Sequence, residues 1–128
     1  MEKYNLTLNK EQLLIIAEAL DVCGRIKCAQ LKEFHHLFDD KKYNKDKVAE
    51  YLCDIKENIF PELQNTEYLS IYGRKAPTEA KLAYDIYKTI LHQLHKDDES
   101  WSINRDEHLL LAGKYGIKIE KIWYQQSL

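Results

Sequence analysis

The spacing of apolar residues near the N-terminus predicts one long amphipathic helix from Asn9 to Asp39. Asn9 is a preferred N-cap residue, and Gln12 stands three positions later, where it can complete a capping box. At 100° per residue, one broad apolar side is formed by Leu13, Ile16, Ala17, Leu20, Gly24, Cys28, Leu31, Phe34 and Phe38. We expect this side to face the core, and its small residues Ala17, Gly24 and Cys28 permit close approach by another backbone.

The same stretch has a second, shorter apolar side formed by Ile15, Val22, Ile26 and Ala29. A helix with two apolar sides needs two partners, because exposed apolar surface of this extent is costly in water. Two interpretations are open. The second side is an interface between subunits, or later helices of the same chain cover both sides and the first helix is a central rod.

Two further helices are predicted. Asn44 caps the second helix, and Pro61 ends it. Its apolar side is formed by Val48, Leu52, Ile55 and Ile59. Pro77 and Thr78 begin a third helix that continues to about His95. The buried side of this helix is predicted to contain Ala83, Ile86, Tyr87, Ile90 and Leu94, and the opposite side Lys81, Asp85, Lys88, His92 and His95.

The two ends of the chain have the alternation of short strands. Polar and apolar residues alternate from Tyr4 to Leu8, and again at the start of the stretch from Ile117 to Tyr124. A short helix is expected between them from Asp106 to Lys114. The expected fold class is therefore mainly α (α+β): three main helices around a long N-terminal helix, a small strand pair formed by the two chain ends, and a single domain over residues 1–128.

Composition limits the class of partner. The chain has 128 residues, of which 45% are hydrophobic and 31% charged, as expected for one folded domain. A net charge of -2 gives no general attraction to DNA or to an anionic membrane. No apolar run is long enough to cross a bilayer, so we expect a cytoplasmic protein. The three cysteines have no CxxC spacing, lie within predicted helices and are interpreted as reduced core residues.

The stretch Gly73 to Thr78 is the first candidate ligand site. Arg74 and Lys75 directly precede a helix N-terminus, where backbone N–H groups and the helix dipole favour a phosphate. Thr78 adds a hydroxyl, and two nearby aromatic side chains can stack on a base, namely Tyr68 and Tyr72. The alternative is an ordinary exposed loop.

A second candidate group lies on the first helix. Asp21 and Arg25 have the spacing of an i, i+4 ion pair, and Gln30 flanks the second apolar side. If that side is an interface, Arg25 and Gln30 can reach a ligand across the subunit boundary. The alternative is a surface salt bridge and a solvated amide.

Metal and catalytic signatures are not recognisable. His92 and His95 share one side of the third helix, with Asp97 just beyond, but neither HExxH nor zinc-ligand spacing is present. There is no Gly-x-Ser-x-Gly elbow, Walker A loop or Rossmann fingerprint. We therefore predict no catalytic residues, no metal and no cofactor. A nucleotide-acting enzyme that uses His92 and His95 is the third hypothesis for function.

Three stretches, Leu6 to Leu20, Arg25 to Gln30 and Tyr84 to His92, resemble small phage-encoded proteins. In those proteins an Arg and a Gln follow the helix entry, and a later helix reads YDIY-x-x-I-x-H. Ala29 stands where the resemblance leads us to expect glycine. The resemblance implies a phage origin and activity against host defence, and one class of such proteins sequesters nucleotide immune signals.

The expected function is that of a homo-oligomeric binding protein in the host cytoplasm. It would sequester a small anionic ligand of the cyclic nucleotide or ADP-ribose type without catalysis. Its ligand-binding residues would be Arg74, Lys75, Thr78, Tyr72, Tyr68, Arg25 and Gln30. The alternative is an inhibitor or adaptor that docks on a host protein through the second apolar side. Neither hypothesis involves DNA or a membrane.

Overall fold

The computed structural model describes residues 2–97 and 118–122, and within these ranges the fold is helical. Helix α1 spans Lys10–Lys27, a 3-10 helix spans Leu31–Phe38, α2 spans Lys45–Ile59 and α3 spans Thr78–His95. No helix in these ranges is long and apolar enough to cross a membrane. The predicted starts and ends of α2 and α3 are confirmed. Asn44 and Pro77 mark the two starts, and Pro61 marks the end of α2, through their own backbone and side-chain preferences.

The predicted strand pair is wrong. Neither residues 2–9 nor residues 118–122 form a strand, and the described part of the chain contains no sheet. Tyr4 and Leu6 are largely exposed, at 85% and 76%, so their alternation does not reflect a buried face. A short alternating segment without a hydrogen-bonding neighbour has nothing to stabilise it as a strand. The predicted helix from Asp106 to Lys114 lies outside the described residues.

Helix α1 begins as predicted but ends much earlier. The Asn9 side chain accepts from the Gln12 N–H, and the Gln12 side chain accepts in turn from the Asn9 N–H, which completes the capping box. The helix ends at Lys27 rather than near Asp39, so the prediction of one continuous helix is wrong. A short turn over residues 28–30 separates it from the 3-10 helix.

Ala29 adopts a left-handed backbone conformation at this end, with φ at 70°. Its N–H donates to the Ile26 carbonyl at 3.0 Å, and the Gln30 N–H donates to the Arg25 carbonyl at 2.9 Å. This pair of bonds is the Schellman arrangement that closes many helices, usually with glycine in the left-handed position. The position is the one at which the resemblance predicts glycine.

Helices α1 and α3 pack directly against each other. A Cβ atom at Gly24 would lie 3.5 Å from the Ala80 carbonyl oxygen and 3.9 Å from the Ala83 Cβ. The predicted close approach along the side of α1 that contains Gly24 is therefore confirmed, and the approaching backbone belongs to α3.

Helix α3, rather than α1, is the most enclosed element of the described structure. Every residue from Ala80 to His95 is buried or half-buried. Asp85, which the pattern places on an exposed side, is fully buried at 0% exposure, so that prediction is wrong. By helical spacing, Asp85 lies on the side opposite Ala83 and Ile90, which means that α3 is covered on two sides.

Helix α2 is attached along one edge. Among the described helices it contacts the 3-10 helix and no other. Its buried residues are Leu52 and Lys56, whereas Ile55 and Ile59 are exposed. The buried side of α2 therefore differs from the predicted apolar side by about one residue. Lys56, rather than Ile55, is buried together with Leu52.

Candidate functional site

A loop over residues 64–76 lies across the C-terminal end of α1. The Leu69 N–H donates to the Cys28 carbonyl at 2.9 Å, so the loop satisfies a carbonyl that the helix end leaves open. Leu69 and Ile71 pack against a buried cluster of Cys28, Ala76 and Ala80. The helix end that the bonds of Ala29 and Gln30 close locally is therefore covered by a segment about forty residues later in the chain.

Lys56 anchors the other end of this loop. Its side chain is almost buried, at 7% exposure, and its ammonium donates to three backbone carbonyls. The acceptors are Gln64 O at 3.1 Å, Asn65 O at 3.0 Å and Glu67 O. The sequence analysis missed this residue. The available signal was its position four residues after Leu52, on the apolar side of α2.

A groove of about 330 Å³ opens between this loop, the start of the 3-10 helix and α2. We call it the loop groove. It is lined by Ala29, Gln30, Leu31, Lys32, Glu33, Leu52, Cys53, Lys56, Asn65, Thr66, Glu67 and Tyr68. Its volume is at the lower end of the range found for small-molecule pockets. Two of the predicted ligand-binding residues, Gln30 and Tyr68, therefore lie in one site.

Arg25 is joined to this groove through Gln30. Its Nη1 donates to Gln30 Oε1 at 3.2 Å, and its Nε donates to Asp21 Oδ1 at 2.9 Å, so the predicted Asp21–Arg25 ion pair is confirmed. Glu33 Oε1 lies 3.6 Å from the same Nη1. Burial lowers the pKa of Arg25, but the hydrogen bond and charge of Asp21 and the charge of Glu33 outweigh it and raise the pKa.

Two tyrosines on α3 lie near this charged group. Burial, the largest cause, raises the pKa of both Tyr84 and Tyr87, and the negative charge of Asp21 adds to it. The positive charge of Arg25 acts in the opposite direction on both. The Lys88 ammonium lies 5.5 Å from the Tyr84 ring centre and 5.9 Å from that of Tyr87. The charged side chains Asp21, Arg25 and Lys88 therefore lie beside the aromatic rings of Tyr84 and Tyr87 where α1 and α3 pack together.

The remaining predicted ligand residues lie outside the loop groove. Arg74, Lys75 and Thr78 are exposed at the start of α3. Tyr72 is 51% exposed, and its N–H donates to Ser70 Oγ at 3.3 Å. A tight turn closed by the Gly73 N–H and the Ser70 carbonyl, at 2.9 Å, fixes this part of the loop.

The second apolar side of α1 is covered only in part. Val22 is buried and Ile26 is half-buried, and both line an open apolar groove of about 520 Å³ beside Leu37 of the 3-10 helix. Ile15 is 67% exposed. Ala29 does not belong to this side, because it lies beyond the end of the helix. Within residues 2–97 and 118–122, this side is therefore partly covered near Val22 and largely exposed at Ile15.

Thiols and metal-ligand residues are distributed without a common site. The three cysteines are free: Cys28 is buried, Cys53 is half-buried, and Cys23 is exposed, contrary to its interpretation as a core residue. Burial raises the pKa of the Cys28 thiol, while the positive charge of Lys81 opposes that effect. Within residues 2–97 and 118–122, no group of three or more His, Cys, Asp or Glu side chains could hold a metal ion.

Comparison with known proteins gives no relative from which a function can be transferred. No protein family, curated protein or solved structure was found to match the chain. The assignment of function therefore depends on the geometry of the loop, the loop groove and the exposed surfaces.

Proposed function

We propose that this chain is a phage-encoded binding protein that holds a small anionic ligand, of the cyclic nucleotide or ADP-ribose type, in the host cytoplasm without reacting with it. The main observation in support of this proposal is the loop over residues 64–76. It is fixed at one end by Lys56 and in its middle by the bond from Leu69 to Cys28. Its two tyrosines nevertheless remain exposed, Tyr68 at 60% and Tyr72 at 51%.

A fixed loop with exposed aromatic and cationic side chains has the properties of a recognition surface. These bonds hold the loop in place without a ligand, which lowers the entropic cost of binding. Tyr68 and Tyr72 supply faces for stacking on a base, and Arg74 and Lys75 supply cations for phosphate. Thr78, the first residue of α3, adds a hydroxyl at the positive end of the helix dipole.

The other half of the proposed site is the edge of the loop groove. Gln30 lines the groove with Tyr68, and its Oε1 already accepts from Arg25. Its NH2 group is therefore the part that we assign to the ligand. The Arg25 guanidinium faces two carboxylates, Asp21 and Glu33, so its role in the proposal is to orient Gln30 rather than to bind phosphate.

The test is a thermal-shift and calorimetry screen against cyclic dinucleotides, cyclic trinucleotides and ADP-ribose derivatives. A ligand that binds only the folded state raises the melting temperature by mass action. We expect a shift, and we expect the ligand to be recovered unchanged after heat denaturation and chromatography. Recovery of an altered ligand would support the enzyme hypothesis instead.

Matched variants locate the site. The double variant Arg74→Ala and Lys75→Ala is expected to lower affinity by about 100-fold, because it removes two charge-assisted contacts to phosphate. The control is Lys41→Ala with Lys42→Ala, which removes the same number of positive charges from the exposed connector between the 3-10 helix and α2. If both double variants bind alike, the cations at the start of α3 are not part of the site.

The adaptor hypothesis uses a different surface. Exposure of Ile15 on α1 favours an interface there. A foreign protein and a second copy of this chain are the two possible occupants, and the molar mass in solution distinguishes them.

A further inference from the structure

The loop groove has an apolar floor and a polar rim. Ala29, Leu31 and Leu52 line it and are buried, and Tyr68 lies at its rim with 60% of its surface exposed. A volume of about 330 Å³ is enough for one ring system but is small for a whole dinucleotide. The groove therefore suits one part of the ligand proposed above rather than all of it.

The charges along the groove do not favour phosphate. Lys56 is buried in its lining, but an ammonium has three N–H donors, and this one already donates to three backbone carbonyls of the loop. The remaining charged side chains of the lining are two carboxylates, Glu33 and Glu67, and the exposed Lys32. Phosphate is held by cationic hydrogen-bond donors and is repelled by carboxylates. We therefore expect the phosphates of a ligand to lie outside the groove.

A donor and an acceptor are held side by side on one wall of the groove. Arg25 Nη1 lies 3.2 Å from Gln30 Oε1 and 3.6 Å from Glu33 Oε1, so one guanidinium nitrogen holds both side chains. Because the Gln30 oxygen is bonded to Arg25, its NH2 group is the part that can donate to a ligand. Glu33 Oε2 also lies 2.9 Å from His36 Nε2, but a carboxylate has about four acceptor positions and can accept further N–H groups.

On the basis of the function proposed above, we infer that the loop groove binds the guanine ring of the ligand and leaves the phosphates outside. Guanine has the acceptor O6 and the donors N1–H and N2–H2 along one edge. O6 accepts from the Gln30 NH2 group, the two donors bind the Glu33 carboxylate, and Tyr68 stacks on the ring. Adenine has a single donor group on the same edge, so it forms one bond fewer to the carboxylate.

Two native thiols allow occupancy of the groove to be measured. Cys53 is half-buried and lines the loop groove, whereas Cys23 is exposed on α1 and does not line it. Iodoacetamide alkylates both thiols, and mass spectrometry of the two peptides gives their rates. Guanosine at about ten times its Kd should slow the alkylation of Cys53 by about 10-fold and leave Cys23 unchanged, because the occupied groove is closed to the reagent. Pyrophosphate, which has no ring, should slow neither.

Calorimetry with nucleosides tests the assigned hydrogen bonds. Guanosine should bind about 10-fold more tightly than inosine, which lacks the N2 amino group and so loses one hydrogen bond to a charged acceptor. Adenosine should bind no more tightly than inosine. Glu33→Gln should abolish the preference for guanosine, because an amide has one acceptor oxygen in place of two. Glu50→Gln, at an exposed position of α2 outside the groove, is the control and should preserve it.

The stacking contact is tested separately. Tyr68→Ala should weaken guanosine and adenosine binding alike, by about 10-fold, because a tyrosine ring stacks on any base. Tyr51→Ala removes a similarly exposed tyrosine from α2, outside the groove, and should leave both affinities unchanged. Circular dichroism verifies that every variant remains helical.

Several outcomes would overturn the base assignment. These are a native chain that does not bind guanosine, guanosine binding that leaves Cys53 fully reactive, protection of Cys53 by pyrophosphate, and a Glu33→Gln variant that still prefers guanosine. The proposed function fails on different grounds, namely if cyclic nucleotides do not bind or are returned altered. A cyclic nucleotide that binds intact while Cys53 stays reactive would therefore overturn the base assignment and leave the proposed function standing.

Discussion

The two ends of α1 are stabilised in different ways. The N-terminal end is closed by its own residues, through the reciprocal bonds of Asn9 and Gln12. The C-terminal end is covered by a distant loop, with Cys28 and Ala29 buried and the Leu69 N–H donating to the carbonyl of the C-cap residue Cys28. The first end is closed by neighbouring residues alone, whereas the second combines local bonds of Ala29 and Gln30 with cover from the distant loop. This difference determines what could be predicted and where mutation is expected to matter most.

The largest effect is expected from removal of the cation that anchors the loop over the C-terminal end. Lys56→Met should lower the free energy of unfolding by about 3 kcal/mol, because three backbone carbonyls lose a charged donor. Urea denaturation measures the change. Lys47→Met, on an exposed position of the same helix, is the control. An equal loss in both variants would show that the loop does not depend on Lys56.

The next largest effect is expected at Gly24, where two substitutions separate the steric contact with α3 from the intrinsic helix propensity of the residue. Gly24→Leu should cost about 2 kcal/mol, because its side chain must displace α3. Gly24→Ala should instead stabilise the protein by about 1 kcal/mol, since a Cβ there has ordinary contact distances of 3.5 and 3.9 Å and alanine favours a helix. Thermal and urea unfolding of the two variants test this change of sign. Destabilisation by alanine would mean that the two helices are packed more tightly than these distances indicate.

Smaller changes compare the two ends of α1 directly. Ala29→Gly should stabilise the protein by about 1 kcal/mol, because glycine adopts a φ of 70° without the penalty of a Cβ. Asn9→Ala should destabilise it by about 1 kcal/mol through loss of the N-cap bond. Both changes are measured by urea unfolding. If Ala29→Gly is destabilising, contacts of the buried methyl group outweigh the backbone strain.

The smallest effect concerns pH. The folded state raises the pKa of Tyr84 and Tyr87 above the ordinary value of 10.0, chiefly through burial. The tyrosines of the unfolded chain therefore ionise first as pH increases, so stability present below pH 10 should be lost above it. Tyr84→Phe with Tyr87→Phe should flatten this decline in unfolding free energy. Tyr51→Phe, at an exposed tyrosine, should leave it unchanged.

The parts of the fold that were predictable are those with local causes. Asn9, Asn44 and Pro77 mark helix starts through their own backbone and side-chain preferences, and the structure follows them. The Asp21–Arg25 pair was equally predictable, because i, i+4 spacing brings the two side chains together.

The parts that were not predictable depend on distant segments. Continuous apolar spacing from Asn9 to Asp39 contains no sign that Ala29 will adopt a left-handed conformation or that Leu69 will bond to Cys28. Lys56 and Asp85 are charged, and their burial depends on what surrounds them rather than on their own position in a pattern. In the candidate site, Gln30 and Tyr68 were identified from their residue types, but the groove that joins them was not.

The attachment of α2 along one edge has a consequence for the internal motions of the protein. Because α2 contacts the 3-10 helix but neither α1 nor α3, it can unfold locally while the α1–α3 pair remains intact. Its amide hydrogens should then exchange with solvent well before those of α3, the most enclosed helix. Such an opening would also release Lys56 from the loop over residues 64–76, so we expect the loop and α2 to open together.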